Sequence, residues 1–260
     1  MNERTLLVDV ALLPAAASVS AGRVLIGVDQ VRASTTITTA LDLGCAELIL
    51  AGDVSTARRL GHGTGRLLAG EQQARKPPDF DFDNSPSELS RADIRGCGLV
   101  LCTTNGTAVV SRLRGADHLL VGCLRNARAV AEAAVRLAGA AVGDAGIQVV
   151  CAGSEGDFVL DDAVAAGVIV GRIGEWAAAT GRDVELTDAA RAAILVRDGF
   201  PSLLAAMADS NGGDTLARIG RPDDIAFCAE EDASGTVPML APGEGLRIVR
   251  LGIAGGDAGS

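Results

Sequence analysis

The chain contains no tyrosine, one tryptophan and five phenylalanines, so aromatic residues make up only 2% of it. Stacking platforms for unpaired bases are scarce, which argues against single-stranded nucleic acid as a partner. It has one lysine, Lys76, and a formal net charge of -10. A surface of that sign repels polyanions at long range, which disfavours duplex nucleic acid and anionic membranes. No apolar run approaches the roughly 20 residues needed to span a bilayer. Residues 1–5 lack the basic-then-apolar order of a secretion signal. The six cysteines form no CxxC pair, and most sit in or beside apolar runs. They read as buried free thiols of a reducing compartment, and the chain as a cytoplasmic protein. Association into a homo-oligomer is left open.

With aromatics scarce, the core must come from Val, Leu, Ile and Ala in a chain of 260 residues that is 48% hydrophobic. Short β-branched runs predict strands at 5–10, 24–29, 47–51, 99–102, 118–122 and 147–152. Longer Ala-rich stretches between them predict helices at 34–43, 54–60, 107–113, 126–137 and 161–179. Such alternation implies an α/β fold of three layers, α/β/α, around a central, largely parallel or mixed sheet. The strands lack clean period-2 alternation, which suits burial on both faces. Segments 237–240 and 247–251 flank Pro242-Gly243-Glu244-Gly245 and read as a hairpin. Helices are expected over 183–197 and 202–208, a loop over 210–213, and a frayed Gly-rich tail over 254–260. Residues 71–86, with Lys76-Pro77-Pro78, should be irregular, and long irregular segments are often functional. No repeat or linker divides the chain, so 1–260 reads as one domain.

Four expected strands run into polar turns: Asp29 to Thr36, Thr103 to Thr107, Cys123 to Asn126, and Ala152 to Asp157. In open α/β sheets ligands bind beyond the carboxyl ends of the strands, so neighbouring loops of this kind would share one crevice. Thr103-Thr104-Asn105-Gly106-Thr107 is a hydroxyl-rich turn opening a helix, where unpaired amides and the helix dipole favour an anion. Ser34-Thr35-Thr36, preceded by Arg32, repeats the pattern. Ordinary helix capping accounts for each turn separately; two after two strands point to an anion pocket. Asp29, Glu71, Glu155 and Asp162 lie at strand ends or helix starts, where carboxylates suit Mg²⁺, a cation that takes oxygen ligands and keeps several waters. Asp161 and Asp162 equally suit stabilisation of a helix N-terminus, and Asp29 and Glu71 suit turn caps or surface ion pairs.

Other phosphate chemistries find no support. A cysteine-based phosphate loop needs an arginine after the thiolate, but Ala108 and Asp157 stand five residues beyond Cys102 and Cys151. Asp81-Phe82-Asp83-Asn84-Ser85 imitates an aspartyl-phosphatase motif but follows two prolines rather than a buried strand. Gly61-His62-Gly63-Thr64-Gly65 lacks the Walker lysine, and His62 and His118 have no partner at metal-ligand spacing.

Taken together, the strand-end loops resemble the 2-phosphosulfolactate phosphatase family. Asp29-Gln30-Val31-Arg32-Ala33-Ser34-Thr35-Thr36-Ile37 is similar to its DVLRATTTI signature, and Thr103-Thr104-Asn105-Gly106-Thr107 to its TTNGT. Leu68-Ala69-Gly70-Glu71, Phe80-Asp81 and Asn84-Ser85-Pro86 resemble its LAGE, FD and NSP blocks. Arg125-Asn126, Cys151-Ala152-Gly153-Ser154-Glu155-Gly156, Leu160-Asp161-Asp162, Asp223-Asp224 and Val237-Pro238 continue the order. The chain departs at Gln72-Gln73-Ala74, where the family pattern reads Arg-Gly-Gly, at Ser34 and at Ala163.

The resemblance implies a Mg²⁺-dependent hydrolase that converts 2-phospho-3-sulfolactate to 3-sulfolactate and phosphate, a step toward coenzyme M. It implies Asp29, Arg32 and Glu71 as catalytic residues. Thr35, Thr36, Asn84, Ser85, Thr104, Asn105, Gly106, Thr107, Arg125 and Asn126 would bind the small anionic phosphoester. The cation would be held among Asp29, Glu71, Glu155 and Asp162. Asp29 could ligate the cation, act as base or serve as nucleophile. Two rival readings are a nucleotide-dependent oxidoreductase, for which the turn after the 24–29 strand lacks the glycine fingerprint, and a non-catalytic anion-binding module.

Overall fold

The computed structural model describes residues 5–140 and 146–252. The first half runs β1 (Thr5–Ala11), β2 (Val24–Val28), α1 (Ala33–Asp42), β3 (Glu47–Ala51), α2 (Val54–Gly61) and β4 (Leu67–Gly70). It continues α3 (Pro86–Leu89), β5 (Gly98–Cys102), α4 (Asn105–Leu113), β6 (His118–Gly122) and α5 (Ala127–Ala140). Then come β7 (Gly146–Cys151), α6 (Leu160–Ala179), β8 (Asp183–Leu186), α7 (Asp188–Asp198) and α8 (Leu203–Ala208). The chain ends in α9 (Asn211–Arg218), α10 (Pro222–Cys228), β9 (Pro238–Leu240) and β10 (Arg247–Arg250).

The strands form one mixed, mostly parallel sheet in the order β4-β5-β3-β10-β9-β6-β2-β7-β1-β8. Alternate residues of one strand go to different cores, as two-faced burial requires. Val24, Ile26 and Val28 of β2 pack with α5, α6 and α7, whereas Leu25 packs with α1 and α4. This is the expected α/β/α layering. The C-terminal segment is the expected antiparallel hairpin, inserted between β3 and β6, so it separates two parallel groups.

Three local expectations are corrected. Residues 183–197 do not form one helix. Asp183-Val184-Glu185-Leu186 alternates in exposure and pairs in parallel with β1, and Thr187 then caps α7 through the Ala190 amide. Residues 210–213 are not a loop: the Ser210 hydroxyl accepts from the Gly213 amide and starts α9. The 71–86 segment is irregular, but the four-residue β4 just before it was not foreseen. All six cysteines are unpaired; Cys97 is half-buried and the others buried. No helix among the described residues is long and apolar enough to cross a membrane. The expected frayed tail over 254–260 lies outside the described residues.

Candidate active site

The loops after β2, β4, β5 and β7, with the start of α9, line a cavity of about 440 Å³. Asp29, just past β2, is buried at its base. Its Oδ1 accepts the Ala33 amide in the first turn of α1 (3.3 Å), and its own amide donates to the Ser34 hydroxyl (2.9 Å). The start of α4 comes close to the same carboxylate because Gly106 has no side chain. A Cβ there would stand 3.0 Å from Asp29 Oδ2 and would overlap the Cβ of Ala33. Two helix N-termini therefore face one acid.

Asp161 and Asp162 open α6 beneath the loop after β7, and both are buried. Asp162 is held on both oxygens, by the Gln30 amide on Oδ1 (2.8 Å) and the Gly153 amide on Oδ2 (2.9 Å). It ties the β2 loop to the β7 loop. Asp161 lines the same cavity, and its Oδ1 is buried with no hydrogen-bond partner. Burial pushes the Asp29 carboxyl up to about 7, with the charges of Asp161 and Glu71 adding to the rise. Burial pushes Asp161 up to about 6. Burial, then the Asp161 and Asp29 charges, push Asp162 up against its two amide donors.

Glu71 joins two loops at the rim. Its Oε1 accepts the amide and hydroxyl of Thr104 (3.1 Å each), and its Oε2 accepts the Ala74 amide (2.8 Å). The turn it braces holds Gln73 and Ala74 at φ 54° and 60°, left-handed backbone that a side chain disfavours. Glu155, exposed at φ 53°, tips the opposite turn. Among the described residues that line this cavity, Arg32 is the one cation, set against Asp29, Glu71, Glu155, Asp157, Asp161 and Asp162. Its guanidinium is buried against Asp224 (3.1 Å) and Asp83 (3.7 Å).

Of the residues singled out in the sequence, Asp29, Arg32, Glu71, Asn84, Thr104, Asn105, Glu155 and Asp162 line this cavity. The other seven do not. Thr35 and Thr36 bond back to the Gln30 and Arg32 carbonyls (2.9 and 3.1 Å). The Ser85 hydroxyl donates to Asp224 (2.8 Å), and the Thr107 hydroxyl to the Ala51 carbonyl (3.2 Å). Gly106 acts by its missing side chain. The loop after β6 folds on itself: Asn126 accepts the Cys123 amide and donates to the Val121 and Thr236 carbonyls, and Arg125 pairs with Glu230 over the Phe227 ring. Asn211, Gly212 and Thr215 of α9 line the cavity although no local motif marked them. The signal for Asp161 was present, beside Asp162 at a helix start.

Among the described residues, no three His, Cys, Asp or Glu side chains converge as a preformed metal centre. The donor set is nonetheless hard oxygen. Asp29 and Asp161 are buried acids, the charge of Asp161 adds to the proton affinity of Asp29, and Asp161 has an oxygen with no hydrogen-bond partner. A divalent cation taking one or two carboxylates and several waters fits that set.

The profile of the family described as 2-phosphosulpholactate phosphatase matches residues 11–243. A probable 2-phosphosulfolactate phosphatase of Deinococcus radiodurans is 38% identical over 219 residues, covering 84% of this chain and 87% of its own. A protein of the same description from Thermus thermophilus is 36% identical over 218 residues, covering 84% and 87%. The 2-phosphosulfolactate phosphatase of Methanothermobacter thermautotrophicus is 35% identical over 216 residues, covering 83% and 86%.

Proposed function

The chain belongs to the 2-phosphosulpholactate phosphatase family, and from that premise we propose that it hydrolyses 2-phospho-3-sulfolactate to 3-sulfolactate and phosphate. The carrying observation is the cavity where Asp29 and Asp161 lie buried beside Arg32 and the starts of α1 and α4. A phosphoryl group seated there meets helix-start dipoles and a guanidinium, donors that stabilise charge as it develops in an in-line displacement. Bound Mg²⁺ would supply the remaining positive charge, held by Asp29 and Asp161, with Glu71 at the rim. Asp29, buried at the base of the cavity, is placed either to ligate that cation or to take a proton from an attacking water. Asp162 braces the two loops and does so with oxygens already occupied by amides. We assign the reaction to the cytoplasm, where free thiols stay reduced, and to a small phosphoester rather than nucleic acid.

The test is phosphate release from phosphosulfolactate and from a panel of small phosphomonoesters, with Mg²⁺ or with EDTA. Release from phosphosulfolactate that EDTA abolishes is expected. No release from any ester with Mg²⁺ present would end the proposal. Asp29→Asn should lose turnover by about 10³-fold or more while staying folded, and full activity would remove Asp29 from the reaction.

A further inference from the structure

We infer that Asp224 is a positioning residue that holds the Arg32 guanidinium at the cavity to receive the phosphoryl group. The inference rests on the phosphatase reading for the identity of that group. Asp224 is 0% exposed, 192 residues from Arg32 in the chain, and does not line the cavity. Its Oδ2 accepts from Arg32 Nη1 at 3.1 Å. Its Oδ1 accepts from the Ser85 hydroxyl (2.8 Å), the Ser87 hydroxyl (2.6 Å) and the Ser87 amide (3.1 Å). One carboxylate thus clamps the loop carrying Asn84 to the turn carrying Arg32. Both Arg32 and Asn84 face the cavity, and Asn84 Oδ1 is buried with no partner.

The receiving role rests on free donors and not on net charge, since Arg32 and Arg221 together face the three acids Asp83, Asp224 and Glu88. Arg32 has Asp224 and Asp83 around it, which would over-neutralise a lone guanidinium. Arg221, however, binds Asp83 at 3.1 Å and Glu88 at 2.7 Å, so Asp83 is shared between two cations. Of the five guanidinium N–H groups, one is spent on Asp224, and the others remain for Asp83 and for an oxyanion. Arginine grips phosphate in a fixed fork, so its orientation matters as much as its charge. Asp224 sets that orientation without touching the ligand.

The experiment is a double-mutant cycle on inorganic phosphate binding by calorimetry, with Mg²⁺ present, using wild type, Arg32→Ala, Asp224→Asn and the double variant. Each single variant should weaken phosphate by about 30-fold, and the double variant by no more than Arg32→Ala alone. Losses that multiply, or an Asp224→Asn protein that binds as wild type does, would overturn the inference, because a merely structural residue acts independently of Arg32. Should Asp224→Asn fail to fold, Ser87→Ala removes the shortest bond to Asp224. It should weaken phosphate by about 3-fold in wild type and not at all beside Arg32→Ala, and no effect in wild type would be equally fatal. Phosphate binding with the expected coupling but no ester hydrolysis would sink the phosphatase reading and leave Asp224 in its role. No phosphate binding by wild type would sink both.

Discussion

A side chain at Gly106 would begin 3.0 Å from the Oδ2 of Asp29 and 3.2 Å from the Thr103 hydroxyl. This near contact lets the first turns of α1 and α4, from different parallel groups of the sheet, meet at one acid. Gly106→Ala should therefore push α4 off α1, at a cost of about 1–3 kcal/mol of overpacking. The displacement should lower turnover more than stability, by about 100-fold for a shift near 1 Å. Thermal melting and phosphate release on the same sample check it. An alanine variant with normal turnover would show that the contact does not set the site.

The buried acids give the cation-free protein a definite pH response. Burial pushes Asp29 up to about 7 and Asp161 up to about 6 in the cation-free fold, against 3.8 for an ordinary aspartate. The native state keeps protons that the unfolded chain has released, so stability falls as pH rises from about 4 through about 7. Asp53 and Asp79, lowered to about 2 by their hydrogen bonds, are ionised throughout that window and do not offset the fall. Melting in EDTA should drop between pH 5 and pH 8. Added Mg²⁺ should raise it, more at pH 8 than at pH 5, because binding displaces those protons. A melting temperature in EDTA that climbs across this window would contradict the assignment.

The alternation of strand and helix was legible because its cause is local: apolar runs too short and too β-branched for helices, separated by Ala-rich stretches. The loops after β2, β5 and β7 were legible for the same reason, since Asp29, Thr104 and Glu155 end apolar strands in polar turns. The sequence shows which residues carry a hydroxyl or a guanidinium, but not where that group is satisfied. Thr35 and Thr36 have the composition of an anion site, yet their protons go to carbonyls of the same turn. Asp224 had no local signal as a partner, because its role exists only once α10 packs against α3 and Arg32. The strand β8 is hard to read from sequence because its four alternating residues weigh little beside the Ala-rich run that follows.

The departure at Gln72-Gln73-Ala74 changes side chains and keeps a glycine-like backbone. Gln73 and Ala74 sit at φ 54° and 60° where the family pattern has a glycine pair. An L-residue in that region costs roughly 1–2 kcal/mol, and glycine loses back about 0.5–1 kcal/mol in unfolded-state entropy. Ala74→Gly should therefore stabilise the fold by about 0.5–1 kcal/mol, a melting rise of about 1–3 °C. The Ala74 amide still reaches Glu71 in that variant, so the rim should keep its shape. A lower melting temperature would mean that the turn carries no strain for glycine to relieve.

Arg32 and Arg125 are both candidate anion grips on sequence grounds, and the fold separates them. The Arg125 guanidinium lies 4.0 Å over the Phe227 ring and pairs with Glu230, away from the cavity. Stacking and a buried stem give it a packing role worth about 1–2 kcal/mol. Arg125→Ala should therefore lower the melting temperature by a few degrees, at about 2–4 °C per kcal/mol. Its turnover should stay within about twofold of wild type, as for a substitution outside a site. Arg32→Ala reverses the pattern: activity falls far more than packing loss explains, because the cavity loses the guanidinium that lines it. Steady-state kinetics and melts on the two variants, side by side, separate the roles. Phosphate affinity lost in Arg125→Ala and kept in Arg32→Ala would place the anion at the loop after β6 instead.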